Sequence, residues 1–398
     1  MTVTTTPDMT VAERIEAVAD QIAAEADRAD ELGTLPDETV KLLKESGVVR
    51  MLQPKEFGGT EDSPVEFFKR VMQIGALSGS AGWVAGVVGI HPFELAQGSL
   101  EVQREIWGED PDTWIASPYA PMGRAVRVDG GFRFNGRWSF SSGTDHCEWI
   151  VLGGLIVDED GKPVGERPES HFVLPRSDYE IVADSWDVVG LKGTGSKDIV
   201  IRDQFVPDHR VIYPKDLETG AAARQAGRGD VPLYRMPFHV MFGTVITAGT
   251  LALAEGALGA YLAYTRSRVT ARGVNMATDQ NQLAVLGAAT AAIESSRAHY
   301  FHDLQRMWDL AVADKEIPLQ LRADVRRNQV QAVRRSQAAV DSLMAAAGGG
   351  AMRTDHPLQR FWRDMAIARN HAANSGVYTA VNAGLLTLGQ PLPPNTRL

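Results

Sequence analysis

Gly131-Phe132-Arg133-Phe134-Asn135-Gly136-Arg137-Trp138-Ser139-Phe140-Ser141-Ser142-Gly143 is the stretch that decides the fold class. Phe132 and Phe134, then Trp138 and Phe140, recur with the period of two that puts alternate side chains on one face of a strand. Val126 and Val128 precede them, and Asp129-Gly130-Gly131 and Asn135-Gly136 read as tight turns between the runs. Apolar runs of similar texture follow at 149–157, 171–174, 179–182 and 199–206. Strands at this density, with almost no helical period, predict a small antiparallel β-barrel or sandwich over residues 114–210.

On both sides the texture is helical. Thr10-Val11-Ala12-Glu13 has the form of a capping box, and Ile15, Val18 and Ile22 follow at helical spacing. Leu35-Pro36-Asp37 opens a second helix that Gly47 ends, and Ser63-Pro64-Val65-Glu66 opens another. Residues 1–113 therefore read as an N-terminal helical domain, and the polar stretch 211–230 as a connector loop. Ala-rich segments at 248–266, 281–313, 319–347 and 356–388 predict a four-helix bundle over residues 231–398. The expected class is an α+β multi-domain protein.

The 398 residues are 44% hydrophobic and 23% charged, with a net charge of −10 spread along the chain. A nucleic-acid binder would show a basic stripe, and none is visible. The single cysteine, Cys147, excludes an intramolecular disulfide and any multi-Cys metal site, and suits a reducing cytoplasm. The opening residues lack the basic-then-apolar form of a secretory signal. Residues 236–254 carry no formal charge, but their Gly and Thr content, His239 and the adjoining Glu255 suit a buried bundle helix better than a membrane span.

Common catalytic signatures are missing. Gly190-Leu191-Lys192-Gly193-Thr194-Gly195-Ser196 lies between predicted strands, whereas phosphate and dinucleotide loops need a following helix, so no usual NAD(P)H site is expected. That segment is either a structural turn or a source of backbone amides and hydroxyls for a ligand. His299, His302 and Asp303 share a predicted helix without a third ligand at suitable spacing, and no metal site is expected. Cys147 reads as core. Three polar spots in apolar settings remain: His91 in the run from Trp83, the serines that end Trp138–Gly143, and Asn370-His371 after Arg360-Phe361-Trp362-Arg363-Asp364.

Several of these segments together resemble the acyl-CoA dehydrogenase fold. They are Leu52-Gln53-Pro54 with Phe57-Gly58-Gly59, Phe132–Gly136, Phe140–Gly143, Val206-Pro207 and Arg360–Asp364. Where dehydrogenases of that fold can carry a catalytic glutamate, Ala368-Arg369-Asn370-His371-Ala372-Ala373-Asn374 has no carboxylate. It is similar instead to the flavin-dependent two-component monooxygenases of the same fold. Within that group, 35–41, 107–111, 119–123 and 189–196 look most like the oxygenases for the seco-steroid phenol of cholesterol breakdown.

The resemblance implies reduced FMN or FAD, delivered by a separate NAD(P)H:flavin reductase, and O2 as co-substrate. A flavin C4a-hydroperoxide would hydroxylate a phenol ortho to its hydroxyl, in a homotetramer without nucleic-acid or membrane partners. It casts His371, Ser142 and His91 as catalytic, with Ser142 beside flavin N5. Trp83, Ser117, Pro118, Tyr119, Phe140, Ser141, His371 and Ala372 would line the cofactor or substrate. Gly349 and Gly350 would approach a neighbouring subunit's flavin, and Arg268 or Arg272 would meet the flavin phosphate. An acyl-CoA dehydrogenase, a same-fold oxygenase of sulfur, nitrogen or another phenol, and a non-enzymatic helical scaffold stay open as alternatives.

Overall fold

The computed structural model describes residues 9–166, 168–271, 273–394 and 396–398. The chain begins with α1 (Val11–Ala17), α2 (Ala19–Ala24), α3 (Ala26–Leu32), α4 (Asp37–Ser46), α5 (Pro64–Leu77), α6 (Gly79–Leu95) and α7 (Leu100–Trp107). Thr10 and Glu13 make both halves of the capping box, and Ser63 Oγ accepts the Glu66 N–H. Every residue of α6 is buried. It crosses α5 at close range, because a Cβ on Gly82 would stand 2.2 Å from Gly75 Cα. That approach brings Trp83, His91 and Glu94 into the centre of the molecule.

The middle of the chain carries β1 (Ile115–Ala116), β2 (Gly123–Val128), β3 (Gly131–Ser141), β4 (Trp149–Val157), β5 (Glu169–Pro175), β6 (Glu180–Val182), β7 (Lys197–Pro207) and β8 (Val211–Ile212). They form one sheet in the order β6-β7-β3-β2-β4-β5-β8, with β1 beside β4. The sheet is mixed rather than wholly antiparallel as expected. After β3 the chain does not fold back as a hairpin; β4 lies alongside β2 and β1 and runs parallel to both.

Asn135-Gly136 is not a turn either. β3 runs straight through it, with a register shift against β7. Asn135 Oδ1 accepts the Asp203 N–H at 2.7 Å, and a Cβ on Gly136 would stand 2.9 Å from Gly123 Cα. The pair serves as a bulge inside a long strand.

The connector contains a 3-10 turn at Pro214–Leu217 and α8 (Ala221–Gln225) where a loop was expected. Then come α9 (Phe238–Ser267), α10 (Gln280–Val312), α11 (Leu319–Ala347), α12 (Pro357–Ala368) and α13 (Gly376–Thr387). α9 is long and apolar enough to cross a membrane, but 89% of its most apolar window is buried within this fold. It packs against α5, α6, α11 and α12 as the central helix. The expected helix over 356–388 is two helices. Asn374 Nδ2 takes the Ala368 carbonyl at 2.9 Å and ends α12, so 369–375 forms a break that holds His371.

Candidate functional site

α6, the segment after β1, the start of α9 and the α12–α13 break converge on one aromatic surface. The Trp83 and His371 rings lie 6.0 Å apart, His371 and Phe242 6.0 Å, Phe242 and Tyr119 5.0 Å, and Tyr119 and His91 5.7 Å, between centroids. His371, read from the sequence as part of a long helix, sits in the non-helical break. Trp83, Tyr119, His91 and His371 are therefore brought together from segments nearly three hundred positions apart.

Hydrogen bonding fixes both imidazoles. The His91 Nδ1–H donates to the Ile115 carbonyl at 2.5 Å, which leaves Nε2 to accept from the Ser117 hydroxyl at 2.8 Å. His91 is fully buried, and burial pushes its pKa down to about 4 against an upward pull from its Ile115 hydrogen bond and the Glu94 charge. His371 Nδ1 accepts the Ala373 N–H at 3.1 Å, so the neutral ring carries its proton on Nε2. Burial and then the Arg326 charge lower its pKa to about 4 as well. Both histidines are neutral at pH 7.

A chain of hydroxyls supports Ser142. Thr194 Oγ1 donates to the Leu191 carbonyl at 2.7 Å, which can only accept. Ser196 Oγ, 2.6 Å from Thr194 Oγ1, must then donate to it, and Ser142 Oγ must donate to Ser196 across 2.7 Å. At the far end Trp83 Nε1, which can only donate, reaches Ser142 Oγ at 3.2 Å. With its proton committed, Ser142 has only a lone pair left for a ligand.

The other residues named from the sequence fall in distinct places. The Pro118 carbonyl accepts the Gly153 N–H at 3.1 Å. Phe140 has φ 69°, is 68% exposed and stands edge-on to Trp186. Ser141 Oγ is buried without a partner among the described residues. Ala372 opens the short 3-10 turn after His371. Gly349 and Gly350 belong to a second corner, in which a Cβ on Gly350 would stand 2.5 Å from the Tyr264 hydroxyl. Arg268 lies over the Tyr264 ring at 5.2 Å, with Nη1 buried and unpartnered among the described residues. This corner shares no hydrogen bond or ring contact with the aromatic surface among the described residues. Arg272 lies outside the described residues.

Three residues of the site escaped the sequence reading. Glu94, fully buried, accepts from the Tyr119 hydroxyl at 2.5 Å and from His171 Nδ1. Its signal was available, since it is the one formal charge in the apolar run 79–95. His171, on β5, stacks 4.6 Å from Tyr119. Arg326, 7% exposed, shares the buried stripe of α11 with Arg322 and Gln329 at spacings of four and three.

The remaining motifs have structural roles. A Cβ on Gly190 would stand 2.2 Å from the Arg363 carbonyl oxygen, and Leu191 N–H donates to Asp364 at 2.5 Å, so the glycine-rich segment docks the sheet onto α12. His299 Nε2 meets Asn328 and Asp303. Glu101, Glu105 and His209 approach one another at the surface, where Arg210 already pairs with Glu105. Cys147 is buried and its Sγ donates to the Gly143 carbonyl. An open cleft of about 360 Å³ lies apart from the aromatic surface, between Gln97–Leu100, Val211–Tyr213 and Ala222–Ala226.

Comparison with known proteins shows the fold and the family. Residues 5–107 match the acyl-CoA dehydrogenase N-terminal domain and residues 244–376 the acyl-CoA dehydrogenase C-terminal domain. The chain is 47% identical over 362 residues to the pigment production hydroxylase of Rhodococcus erythropolis, across 91% of this chain and 92% of that one. It is 40% identical over 379 residues to the flavin-dependent monooxygenase oxygenase subunit HsaA of Mycobacterium tuberculosis (strain CDC 1551 / Oshkosh), across 95% of each. The crystal structure of the HsaA monooxygenase from M. tuberculosis superposes with a TM-score of 0.91 at 39% identity, covering 96% of this chain and 98% of that one. XiaF from Streptomyces sp., solved with FADH2 and glycerol, superposes with a TM-score of 0.90 at 26% identity, covering 98% and 97%. The chain belongs to the flavin-dependent monooxygenases of the acyl-CoA dehydrogenase fold, and it is an enzyme, the oxygenase subunit of such a system.

Proposed function

We propose that this oxygenase hydroxylates a phenolic ring ortho to its hydroxyl, with the seco-steroid phenol of sterol catabolism as substrate. The observation that carries the reading is the Ser117–His91 couple, set in an apolar aromatic surface that has His371 at its other end. Dehydrogenases of this fold can carry their catalytic carboxylate at the α12–α13 break, where this chain has His371 and no carboxylate.

The residues present fit a reduced flavin. Ser142 has a lone pair to offer an N–H donor such as N5 of the reduced ring, and among the described residues the Ser141 hydroxyl is unpartnered and an Arg268 N–H has no acceptor, so it can meet a phosphate. Reduced FMN or FAD, bound with O2, supplies the oxygen atom and the electrons. Ser117, whose proton is committed to His91 Nε2, accepts the phenol O–H; a shift of both protons along this chain towards His91 as the ring is attacked puts negative charge on the phenol oxygen. Glu94 favours the imidazolium so formed, and its hydrogen bond to Tyr119 fixes the wall beside it. His371 presents Nε2–H as a neutral hydrogen-bond donor, suited to hold an oxygen atom and stabilise charge that develops on it. The apolar rings of Trp83, Phe238 and Phe242 keep bulk water away.

A separate NAD(P)H:flavin reductase is the expected source of reduced cofactor. A homotetramer is supported by the exposed apolar face of α13, where Val377 is 69% and Tyr378 75% exposed, and by the Gly349–Gly350 corner. A cytoplasmic location accords with the single, buried cysteine. The test is anaerobic loading with reduced FMN or FAD, addition of the seco-steroid phenol or a simple 4-alkylphenol, and admission of oxygen. An ortho-dihydroxy product that His371→Ala and Ser117→Ala forfeit is expected; consumption of acyl-CoA with no phenol product would overturn the reading.

A further inference from the structure

Arg326 is a charge buried without a countercharge among the described residues. Its two hydrogen bonds go to the Gln329 side chain and the Ala373 carbonyl, both neutral acceptors. Burial brings its pKa down to about 10, and among the described residues Tyr300 alone pulls it up. The fold makes room for it deliberately, since a Cβ on Gly243 of α9 would stand 2.3 Å from its Cζ. Isolated charges in a protein interior are strongly disfavoured unless they have a task.

That task is visible one residue away. Ala373 donates its N–H to His371 Nδ1 and offers its carbonyl to Arg326, so one residue couples the guanidinium to the imidazole. We propose that Arg326 is the positioning residue of His371: through Ala373 it clamps the α12–α13 break in the shape that aims the ring at Trp83 and Phe242, and it sets a charge that is unneutralised among the described residues one residue from that ring. The inference rests on the reading of His371 as a site residue.

The groups around the ring support the assignment. α6 presents Trp83, α9 presents Phe242, and the break itself presents Ala373, all uncharged. His239, one turn before Phe242, is occupied by Glu218, and His91 and Glu94 lie at the other end of the aromatic surface. Among the described residues Arg326 is the one charge that bears on His371, and it disfavours the imidazolium. It thereby keeps Nδ1 free to accept from Ala373 and Nε2–H free to donate.

The experiment uses the full chain without flavin or phenol, labelled with 13C/15N-histidine, with His371→Asn to assign the resonance. In the wild type His371 is expected to stay neutral down to about pH 4. Arg326→Gln should move the midpoint upward by about one pH unit. Arg326→Lys keeps the charge but not the planar fork, so it should retain the low midpoint while the Ala373 amide exchanges with solvent roughly tenfold faster. A folded Arg326→Gln variant with an unshifted His371 midpoint overturns the proposal. If that variant does not fold, unchanged Ala373 exchange in Arg326→Lys overturns it instead. Failure to hydroxylate phenols would remove the functional reading and leave these ligand-free outcomes standing.

Discussion

Two histidines with nearly the same pKa do opposite things, because different atoms of each ring are already engaged. His91 spends Nδ1–H on a backbone carbonyl and accepts through Nε2; His371 accepts through Nδ1 and donates through Nε2–H. Sequence could single out both residues from their apolar settings, but not their tautomers, which depend on Ile115 and Ala373 backbone groups. Because His371 works as a neutral donor, hydroxylation should be flat from about pH 8 to about pH 5 as far as this residue governs it, and should change only as the ring protonates near pH 4. His371→Ala should lower the hydroxylation rate about a hundredfold, in steady-state product formation. Ser142 is directed in the same way by Ser196 and Thr194. Ser196→Ala would free its proton, and the preference for reduced over oxidised flavin should fall about fivefold in paired anaerobic and aerobic titrations. An unchanged ratio would show that the hydroxyl chain does not direct Ser142.

Elements were legible where one local signal dominated, and misread where two competed. The capping box at Thr10 and the glycine stop at Gly47 are short-range signals that no tertiary contact opposes, and both are realised. Asn135-Gly136 has the composition of a turn, yet thirteen register pairs along β3, with β2 on one side and β7 on the other, hold it extended, and the residues form a bulge. Likewise 356–388 has helical spacing throughout. The break at His371 comes from side-chain caps, Asn374 on Ala368 and His371 on Ala373, which a periodicity argument cannot see. The α5–α6 crossing depends on an absent side chain, and this gives a test of the element. Gly82→Ala places a methyl 2.2 Å from Gly75 Cα, where backbone must move. It should cost about 1–3 kcal/mol in a denaturant melt and, by displacing Trp83, lengthen its contact with Ser142. A variant as stable as the wild type would mean that the helices slide apart freely.

At the scale of the whole molecule, the two buried groups that tie the domains to the site respond to acid with opposite sign. His91 has a pKa near 4 when folded and an ordinary value of 6.5, so the unfolded chain binds its proton more readily. Stability from this group therefore falls as pH drops from 6.5 towards 4, by about 3 kcal/mol in all. Asp364, which joins the glycine-rich turn of the sheet to α12, is raised from 3.8 to about 7, chiefly by burial. The folded chain then binds its proton more readily, so this group adds stability as pH drops from 7 towards 3.8. Over the shared window the two trends oppose each other, and the fold's response to mild acid is flatter than either residue alone would make it. Asp364→Asn keeps the oxygen that accepts the Leu191 N–H but cannot titrate. Its stability relative to the wild type should rise by about 3 kcal/mol between pH 4 and pH 7, and its own melt should become steeply acid-sensitive below pH 6.5 as His91 and His371, both lowered to about 4, act unopposed. Denaturant melts of both proteins across that window check it. A stability difference that stays constant with pH would mean that Asp364 is already ionised throughout, with Arg360 and Arg363 offsetting its burial.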